Sequence, residues 1–574
     1  MPKEYSHNDF SPLFQKQHYA PKDKHNVKPF FTNLDKSVYV PLIFSPEVVG
    51  ALCSRTSRAA EDLRPIFSKE YIKPFLEPDK TLDKKTFKDM ATYGRQLKTF
   101  IEFLHKHPIE QIFSNPKTRS FYAKWLAQYG DDSIAQMAGS HVVFSSLSQV
   151  AIKHFEDQRI GLAPIEKSTR YVNYGHKING SYQYYTDPTL ENLRLKEAYQ
   201  AAMDNLFDTY KQLLPLLIDW LGKRFPQEKP GVVEKKTFDT LRGILPASAL
   251  SQVAFFGNGQ AFEYAVSRSG QHALGEVRWA AEEMYQELFK ITPSFLRRVK
   301  AADSQELVSS YQKYLAEKPD RVAAFVRKHL KQANHIITPT NDFKVELLEW
   351  DKQGETNIIA GMLYNAPNNQ ATWKSTAAAV KKMSPKEKQA IIATYLSGRT
   401  QRWQKVGRAF ENAYLRYEIT CNIGAWRDLH RHRMLTQQRQ HFTIKHGFDV
   451  PPELIESGFD KDYIAAIKQV EKVHQKIAKT NHHLAQYATC LAHRLHFMQY
   501  TNVRELFWEV ELRTIPEGHP DYRHVEQKKF HLFAKKFPLI APHMRVNLGE
   551  YDFARRGQEE KIQQKLAELQ KINH

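Results

Sequence analysis

The sequence predicts a helix-rich α/β (α+β) protein of two tandem modules, each with a mixed sheet and long helices. Long stretches at 190–225 and 259–300 carry apolar residues every three to four positions, which is typical of amphipathic helices. Shorter apolar runs, HVVFSSLSQVAIKHF and AYLRYEITCNIGAW, are typical of buried strands or buried helices. The same ordered series of motifs also occurs once in each half of the chain, which predicts the two modules.

Composition narrows the possible partners. The chain has 574 residues, enough for two or more domains with separate cores. Lysine and arginine number 83 against 63 aspartates and glutamates, and the resulting charge of +20 favours nucleotides, folates, nucleic acid or an acidic surface. No apolar run approaches the roughly 20 residues of a membrane span, and the N-terminus lacks the apolar core of a signal peptide.

The cysteines indicate the compartment. Cys53, Cys421 and Cys490 have no metal-ligand spacing and are too few for a disulfide framework. We therefore expect a reducing compartment, the cytoplasm, and no metal site.

The predicted organisation begins with a polar, proline-containing segment at 1–40, expected to be an extended N-terminal arm. A first module then covers 41–335 and a second covers 336–574, with the boundary near 330–342. In the second module, KVELLEWD and NIIAGMLYN are separated by KQGET and predict a pair of strands. Ser384 followed by Pro385 predicts the N-terminus of a helix.

Two halves of the chain repeat one order of motifs. An apolar stretch leads to FEDQRIGLAPIEKSTRYVNY in the first half and to LHRHRMLTQQRQHFTIKHGF in the second. A long helix follows each, and then an asparagine, an arginine about three helical turns later and a histidine. These are Asn258, Arg268 and His272 in the first half and Asn502, Arg513 and His519 in the second. The pattern predicts an internal duplication.

The most distinctive stretch is Arg431, His432 and Arg433. Consecutive residues cannot all face one way on a helix or a strand. Arg431 and Arg433 can therefore converge on an anion while His432 turns to a second group, since guanidinium groups suit phosphates and carbonyl-rich ring edges. A solvated basic run is the alternative.

These motifs resemble the flavin-dependent thymidylate synthases, the ThyX-like family. The family signature is ArgHisArg, a short loop, a serine and an Arg-Tyr pair, followed later by Arg-x-x-Leu-Pro and Asn-x-Arg. The second half keeps Arg431–Arg433 and AsnValArg at Asn502–Arg504, but His441 and Thr443 replace the serine and the arginine. The resemblance covers about 121–300 and 345–530.

The first half keeps the motif residues that the second half lacks, and it lacks those that the second half keeps. It keeps GluLysSerThrArgTyr at Glu166–Tyr171 and LRGILP with Arg242, but Asp157 and Gln158 precede Arg159. Gln260 stands in place of the arginine of Asn-x-Arg. Because the family's active site lies between subunits, the resemblance implies a fused pseudo-dimer with one complete site per pair of halves. The reciprocal site would combine Asp157 of the first half with residues of the second half, and it would be inactive. The second-half residues are Arg439, His441 and Thr443.

The resemblance also implies the activity. It implies methylation of dUMP to dTMP with FAD, NADPH and 5,10-methylenetetrahydrofolate, in a homodimer of fused halves. The implied substrate-binding residues are Glu166, Ser168, Arg170, Arg242, Arg431 and Arg513. The implied FAD-binding residues are Arg431, His432, Arg433, Asn502, Arg504 and Ser133. Arg513 and Ser168 are the implied catalytic residues.

Structural alternatives stand beside these roles. Arg242 can pair with a carboxylate on a neighbouring helix, Asn258 and Asn502 can cap helices, and Glu166 can pair with Lys167 or Arg159. His154 and Asp428 occupy positions where relatives often carry glutamine, which leaves the acceptor open between dUMP, another uridine nucleotide and uridine in RNA. A non-catalytic nucleic-acid-binding protein on a decayed fold is the third hypothesis. The sequence has no P-loop, zinc spacing, Ser-His-Asp signature or GxGxxG fingerprint.

Overall fold

A computed structural model describes residues 3–107, 116–122, 124, 133–300, 305–330, 343–554 and 556–572. The chain forms two compact units. Unit 1 comprises Met1–Lys211, Pro246–His335 and Lys468–Ala488, and unit 2 comprises Gln212–Leu245, Ile336–Ile467 and Thr489–His574. Each unit therefore includes one segment from the other half of the sequence, unlike the predicted modules 41–335 and 336–574.

Each unit contains one four-stranded sheet. In unit 1 the strands are β1 (Val38–Tyr39), β2 (Gly139–Ser148), β3 (Leu162–Glu166) and β4 (Leu250–Asn258), in the order β1-β2-β4-β3. In unit 2 they are β5 (Lys344–Trp350), β6 (Tyr414–Asn422), β7 (Thr436–Arg439) and β8 (Arg494–Asn502), in the order β5-β6-β8-β7. The shared strand order agrees with the predicted duplication. Every strand pair is antiparallel, so the predicted mixed sheets are wrong in this respect, because apolar runs carry no information about strand direction.

Helices make up most of the remaining structure, which confirms the helix-rich α+β class. In chain order they are α1 (Pro21–Val27), α2 (Pro46–Thr56), α3 (Leu63–Phe67), α4 (Lys73–Leu76), α5 (Lys84–Lys106), α6 (Pro116–Tyr122), α7 (Gln149–Glu156), α8 (Lys196–Arg224), α9 (Pro230–Leu241), α10 (Gly259–Ser269), α11 (Gly275–Phe289), α12 (Arg297–Lys300), α13 (Gln305–His329), α14 (Gly354–Tyr364), α15 (Trp373–Lys382), α16 (Pro385–Tyr395), α17 (Ile423–Leu429), α18 (Pro452–Ser457), α19 (Asp460–Ala478), α20 (His482–Ala485), α21 (Val503–Arg513), α22 (Pro520–Ala534) and α23 (Gln558–Ile572).

The two central strands of each sheet run directly into helices. Ser148 ends β2 and caps α7, and Asn422 ends β6 and caps α17. Their side-chain oxygens accept from the backbone N–H of Ala151 at 3.1 Å and of Ala425 at 2.7 Å. Such caps satisfy N–H groups that the first helical turn leaves without partners. Each ambiguous apolar run is therefore a buried strand followed by a buried helix.

The N-terminal segment differs from the extended arm that we expected. Residues Pro21–Val27 are helical, with Pro21 in the first turn, where its missing N–H costs little. Val27, Phe30 and Phe31 are buried in the core of unit 1. This apolar trio anchors the segment, because its burial stabilises the fold by several kcal/mol at about 25 cal/mol per Å² of apolar surface.

Two local predictions in the second half had different outcomes. The strand predicted from NIIAGMLYN is wrong, because residues Gly354–Tyr364 form α14. A short apolar run fits a buried helix as well as a strand. The helix start at Ser384 is confirmed, with a capping box in which Ser384 Oγ accepts from Glu387 N–H at 3.3 Å and its own N–H donates to Glu387 at 2.7 Å.

Among the described residues, we find no helix long and apolar enough to cross a membrane.

Candidate functional site

The Arg-His-Arg stretch follows α17 in unit 2, where the helix ends and the chain turns toward β7. The Arg431 side chain is 45% exposed, whereas His432 is buried at 4% exposure. The histidine therefore points away from Arg431, as consecutive residues must once the helix has ended. This geometry gives the two residues separate tasks.

His432 is held between an arginine and a glutamate of α21. Arg513, the last residue of α21, donates from Nε to His432 Nε2 at 2.9 Å. His432 Nδ1 lies 3.1 Å from Glu505 Oε1. A nitrogen that accepts from a guanidinium cannot carry a proton, so the ring is neutral and its proton is on Nδ1, donated to Glu505.

The electrostatics of this group agree with the hydrogen bonds. Burial, reinforced by the charge of Arg513, lowers the pKa of His432 well below its usual range. Burial and the nearby Glu509 raise the pKa of Glu505 to about 7. The imidazole therefore works as a fixed, neutral support for the Arg513 guanidinium.

A second group joins two arginines through one carboxylate. Arg242 lies in the short 3₁₀ turn Arg242–Ile244 after α9 and is buried. Its Nη1 lies 3.4 Å from Asp428 Oδ2, and Arg431 Nη1 lies 3.9 Å from Asp428 Oδ1. Unit 2 thus brings together two of the predicted substrate arginines, although they are far apart in sequence. The ion pair that we considered as the structural alternative for Arg242 is present, with Asp428 as the partner.

Arg242 has hydrogen-bonding capacity left over. Its Nη2 is buried and has no hydrogen-bond partner among the described residues. A side chain on Gly424 would place its Cβ 3.5 Å from Nη2, so the glycine lets the guanidinium lie close to the first turn of α17. A buried guanidinium donor without an acceptor is costly and suits a ligand oxygen.

Both predicted asparagines are helix caps, as their structural alternative proposed. Asn502 Oδ1 accepts from Glu505 N–H at 2.9 Å at the start of α21, and Asn258 Oδ1 accepts from Ala261 N–H at 2.8 Å at the start of α10. Arg504 pairs with Glu411. The capping oxygens are therefore engaged within the protein.

Unit 1 holds the other predicted residues. Glu166 ends β3 and is buried, and its Oε1 accepts from Lys153 Nζ at 3.1 Å. Lys153 of α7 was not among the predicted partners, because no local spacing brings it to Glu166, and the pairing with Lys167 or Arg159 stays a prediction. Ser168 Oγ accepts from the Arg170 N–H at 3.2 Å. Ser133 precedes the short 3₁₀ turn Ile134–Gln136, and residues 125–132 lie outside the described residues.

The sheet register fixes which residues of the two units correspond. Glu166 pairs with Val253, five residues before Asn258, and Arg439 pairs with Phe497, five residues before Asn502. Glu166 and Arg439 are therefore equivalent. His441 then takes the place of Ser168, as the sequence comparison of the halves predicts.

A buried charge network below His432 was missed. Lys529 Nζ donates to Glu509 at 2.7 Å, to Glu526 at 3.0 Å and to Gln499 Oε1 at 2.8 Å, and none of the three charged side chains is exposed. Burial raises the pKa of Glu526 to about 8. The available signal was a lysine three residues after a glutamate on the buried face of α22.

Comparisons with known proteins agree with this architecture. The family model described as thymidylate synthase complementing protein matches residues 83–294 and again 346–539, so the family domain occurs twice. The UPF0159 protein of Chlamydia pneumoniae is 30% identical over 94% of this chain and 98% of its own length. The UPF0159 protein of Thermoplasma acidophilum is 27% identical over 76% of this chain and 91% of its own length.

A solved structure was also found. The UMP/dUMP methylase PolB from Streptomyces cacaoi, bound with 5-Br dUMP, is 15% identical, covers 36% of this chain and 98% of that chain, and has a TM-score of 0.28. A TM-score this low bears on neither the fold nor the function. The two family matches together span more than half of the sequence, and the chain therefore belongs to the thymidylate synthase complementing protein family.

Proposed function

We propose that this protein is a flavin-dependent thymidylate synthase-like enzyme that methylates dUMP to dTMP with 5,10-methylenetetrahydrofolate and reduced FAD. Family membership supports the reaction class. The observation that carries the proposal is the Arg242–Asp428–Arg431 group of unit 2, in which a buried guanidinium keeps a donor without a partner among the described residues.

The two arginines and Asp428 carry a net charge of +1, which favours an anion. A phosphate would accept from Arg242 Nη2 and from Arg431, whose side chain is partly exposed. Charge-assisted hydrogen bonds of this kind are about twice as strong as neutral ones. These two arginines would therefore bind and orient the nucleotide phosphate.

Arg513 would act at the pyrimidine ring. Its Nε is fixed by His432, and the rest of the guanidinium can donate to a carbonyl on which negative charge develops. His432 is then a positioning residue for Arg513. Because both of its ring nitrogens already have protein partners, its direct contact to flavin becomes a weaker part of the proposal.

The side chains that would bind FAD are guanidinium groups and the amide of Asn502. Arg431 and Arg433 present guanidinium groups suited to the diphosphate of FAD, and Arg504 would share its guanidinium between FAD and Glu411. Asn502 keeps its amide N–H₂ while its oxygen caps α21. Bound FAD, re-reduced by NADPH, would supply the reducing equivalents for the transferred carbon. The chain's own residues bind and orient the substrates around it.

Covalent catalysis by a cysteine is disfavoured. All three cysteines are buried. Burial raises the pKa of the Cys53 thiol to about 12 and that of Cys421 well above its usual range, so neither forms the thiolate that attacks a pyrimidine ring.

The roles of Glu166, Ser168, Arg170 and Ser133 stay predictions from the family resemblance. Arg170→Ala tests the nucleotide role in unit 1, because Arg170 contributes only its backbone N–H to the Ser168 contact described above. The variant keeps that hydrogen bond, so a loss of dUMP binding would report the guanidinium itself.

Two observations favour a methyl acceptor other than dUMP. Asp428 places a negative charge between the two arginines, which weakens the binding of a free dianionic phosphate. The net charge of +20 favours a polyanion. The same flavin and folate chemistry on another uridine nucleotide or on RNA is therefore the alternative substrate assignment.

The test is tritium release from [5-³H]dUMP by the purified full-length protein with methylenetetrahydrofolate, NADPH and FAD. We expect flavin absorbance and release, with a loss of at least about 100-fold in Arg242→Ala. Arg416→Ala is the matched control, since Arg416 forms a partly exposed ion pair with Glu349. A colourless protein that releases no tritium and binds RNA with a steep salt dependence would replace the proposal with the nucleic-acid-binding hypothesis.

A further inference from the structure

Unit 1 contains a cavity whose lining includes none of the residues assigned to the proposed reaction. Its volume is about 660 Å³, within the range of small-molecule sites. The N-terminal segment 16–43 forms nearly all of it, and Leu104 and His105 near the end of α5 complete it. The segment precedes the region that the family model matches, which begins at residue 83. The cavity is therefore built mostly from sequence outside the family domain.

The part of the wall next to the core of unit 1 is hydrocarbon. Phe31, Leu34, Leu42 and Leu104 line the cavity and are buried. Ile43 also lines it, with a φ of +63°, in the left-handed region that β-branched residues rarely adopt. Backbone strain of this kind persists where the surrounding structure holds it, and it clusters at ligand sites. This part of the wall suits an apolar group of a ligand.

The neutral polar side chains of the wall are engaged within the protein, with one exception. Thr32 Oγ1 accepts from a backbone N–H at 3.0 Å, and Gln17 Nε2 donates to a backbone carbonyl at 3.2 Å. Asn33 Nδ2 donates to a backbone carbonyl at 2.8 Å, and its Oδ1 accepts from a backbone N–H at 3.0 Å. The wall therefore offers little to the polar edge of a heterocyclic ring.

The exception is Tyr19. Its hydroxyl is buried and has no hydrogen-bond partner among the described residues. Burial raises the pKa of Tyr19 above its usual range, so the hydroxyl keeps its proton. A buried donor without an acceptor is costly, and an oxygen of a ligand would satisfy it.

Two lysines of the wall lack acidic partners, although acidic residues lie nearby. Lys24 of α1 and Lys28, which follows α1, form no ion pair in the part of the chain that the structure describes. The acidic residues close to them pair with other cations: Asp23 with Lys73, Glu77 with Lys22, and Glu102 with His25. The charge of these two lysines is therefore available to a ligand.

The charge of the whole wall favours an anion. Lys16 also lines the cavity and lies 3.9 Å from Asp35, the one acidic residue among the described residues of the wall. Three lysines against one aspartate give a net charge of +2. A bare inorganic anion would leave the hydrocarbon part of the wall uncovered. A neutral hydrocarbon would leave the lysines and the Tyr19 hydroxyl without partners.

We propose that this cavity binds an amphipathic anion, in which a carboxylate or phosphate head group is joined to an aliphatic chain. The head group would accept from Lys24, Lys28 and Tyr19, through charge-assisted hydrogen bonds to the two lysines. The aliphatic chain would cover Phe31 and Leu42. The inference rests on the cavity alone and does not depend on the proposed activity.

The test is calorimetric titration of the full-length protein with octanoate and, separately, with octyl phosphate. We expect at least one of them to bind, and which one binds identifies the head group. 1-Octanol, which lacks the charge, should bind at least about 10-fold more weakly, and so should the four-carbon homologue of the anion that binds.

Variants of the wall locate the head group. Lys24→Gln and Lys28→Gln should each weaken binding of the anion about 5- to 10-fold, and Tyr19→Phe should weaken it about 5-fold. Because the Tyr19 hydroxyl has no partner among the described residues, Tyr19→Phe should keep the melting temperature of the unliganded protein.

The matched control is Lys22→Gln. Lys22 lies on the same helix as Lys24, pairs with Glu77 and does not line the cavity, so its loss should leave binding unchanged. The proposal is overturned if neither anion binds, or if 1-octanol binds as tightly as the anions. It is also overturned if Lys24→Gln and Lys28→Gln bind the anion as well as Lys22→Gln does.

Discussion

The two units share one fold but differ at the junction where the second strand of each sheet enters its helix. In unit 1 Ser148, Glu276 and Tyr487 are buried, and the hydroxyls of Ser148 and Tyr487 both donate to the Glu276 carboxylate. In unit 2 the corresponding residues are Asn422, Asp521 and Gly243, and a cavity of about 290 Å³ lies beside them. In unit 1 these positions of the duplicated fold are packed and hydrogen-bonded within the protein. In unit 2 the same positions line a cavity and leave polar groups available to a ligand.

A second difference lies just after the same helices. Gln158 of unit 1 donates to the backbone oxygen of Ala261 at 2.7 Å, which is a structural contact. His432, its counterpart in unit 2, instead supports Arg513, and its neighbour Arg431 replaces Asp157. The change from glutamine to histidine therefore accompanies the appearance of two oriented guanidinium groups in unit 2.

The largest expected effect concerns a feature that the units share, a fully buried lysine between two glutamates. Lys529→Met would leave Glu509 and Glu526 without their counter-charge and should lower the free energy of unfolding by about 3–5 kcal/mol. Lys153→Met should act similarly through Glu156 and Glu166. Urea unfolding followed by circular dichroism measures both.

Lys223→Met is the control for these two variants. Lys223 forms an exposed pair with Asp219, and its loss should cost no more than about 1 kcal/mol. A loss for Lys529→Met as small as that of the control would show that the buried network does not stabilise unit 2.

The next effect is a dependence of stability on pH that belongs to unit 1. Burial raises the pKa of Glu276 from 4.5 to about 7. An acid that holds its proton more tightly when folded favours the folded state at low pH, and this advantage is lost as pH rises from about 4.5 to about 7. Glu276→Gln should remove on the order of 2–3 kcal/mol of this change between pH 5 and pH 8.

The measurement is the free energy of unfolding across that pH range. Glu47→Gln, on the exposed first turn of α2, should keep the pH dependence of the unmodified protein. An unchanged slope in Glu276→Gln would mean that Glu276 is not protonated in the folded protein near neutral pH.

The smallest effect compares the strand-to-helix junction of unit 1 with that of unit 2 through the loss of one tyrosine hydroxyl from each. Tyr487→Phe removes a hydrogen bond to the buried Glu276 and should cost about 1–2 kcal/mol. Tyr463→Phe removes a hydroxyl without a partner among the described residues and should cost about 0 kcal/mol in the unliganded protein. Equal costs in thermal unfolding would contradict the difference between the junctions.

Local patterns predicted much of the fold. The cap at Ser384, the strand in KVELLEWD and the duplicated order of motifs all follow from neighbouring residues. The failure at Gly354–Tyr364 has a physical reason, since Ile358, Ile359 and Met362 are buried on more than one face and leave no periodicity to distinguish a helix from a strand.

The candidate site was predictable only in its residue types. The motifs selected Arg242, Arg431 and Arg513, but no local pattern indicates that Asp428 joins the first two or that His432 supports the third. Nor did it show that Glu166 pairs with Lys153. Such partners are set by how helices pack against the sheets, which short-range spacing does not encode.

The most direct test of the account is equilibrium binding of dUMP to matched variants of the two units. Arg431→Asp gives unit 2 the residue that unit 1 carries, and Asp157→Ala changes the counterpart in unit 1. Nearly half of the Arg431 side chain is exposed, so its replacement should not prevent folding. We predict that Arg431→Asp weakens dUMP binding by at least about 100-fold, since a charge-assisted contact becomes a repulsive one, whereas Asp157→Ala leaves it unchanged. Undiminished dUMP binding in Arg431→Asp would contradict the assignment of the nucleotide to unit 2.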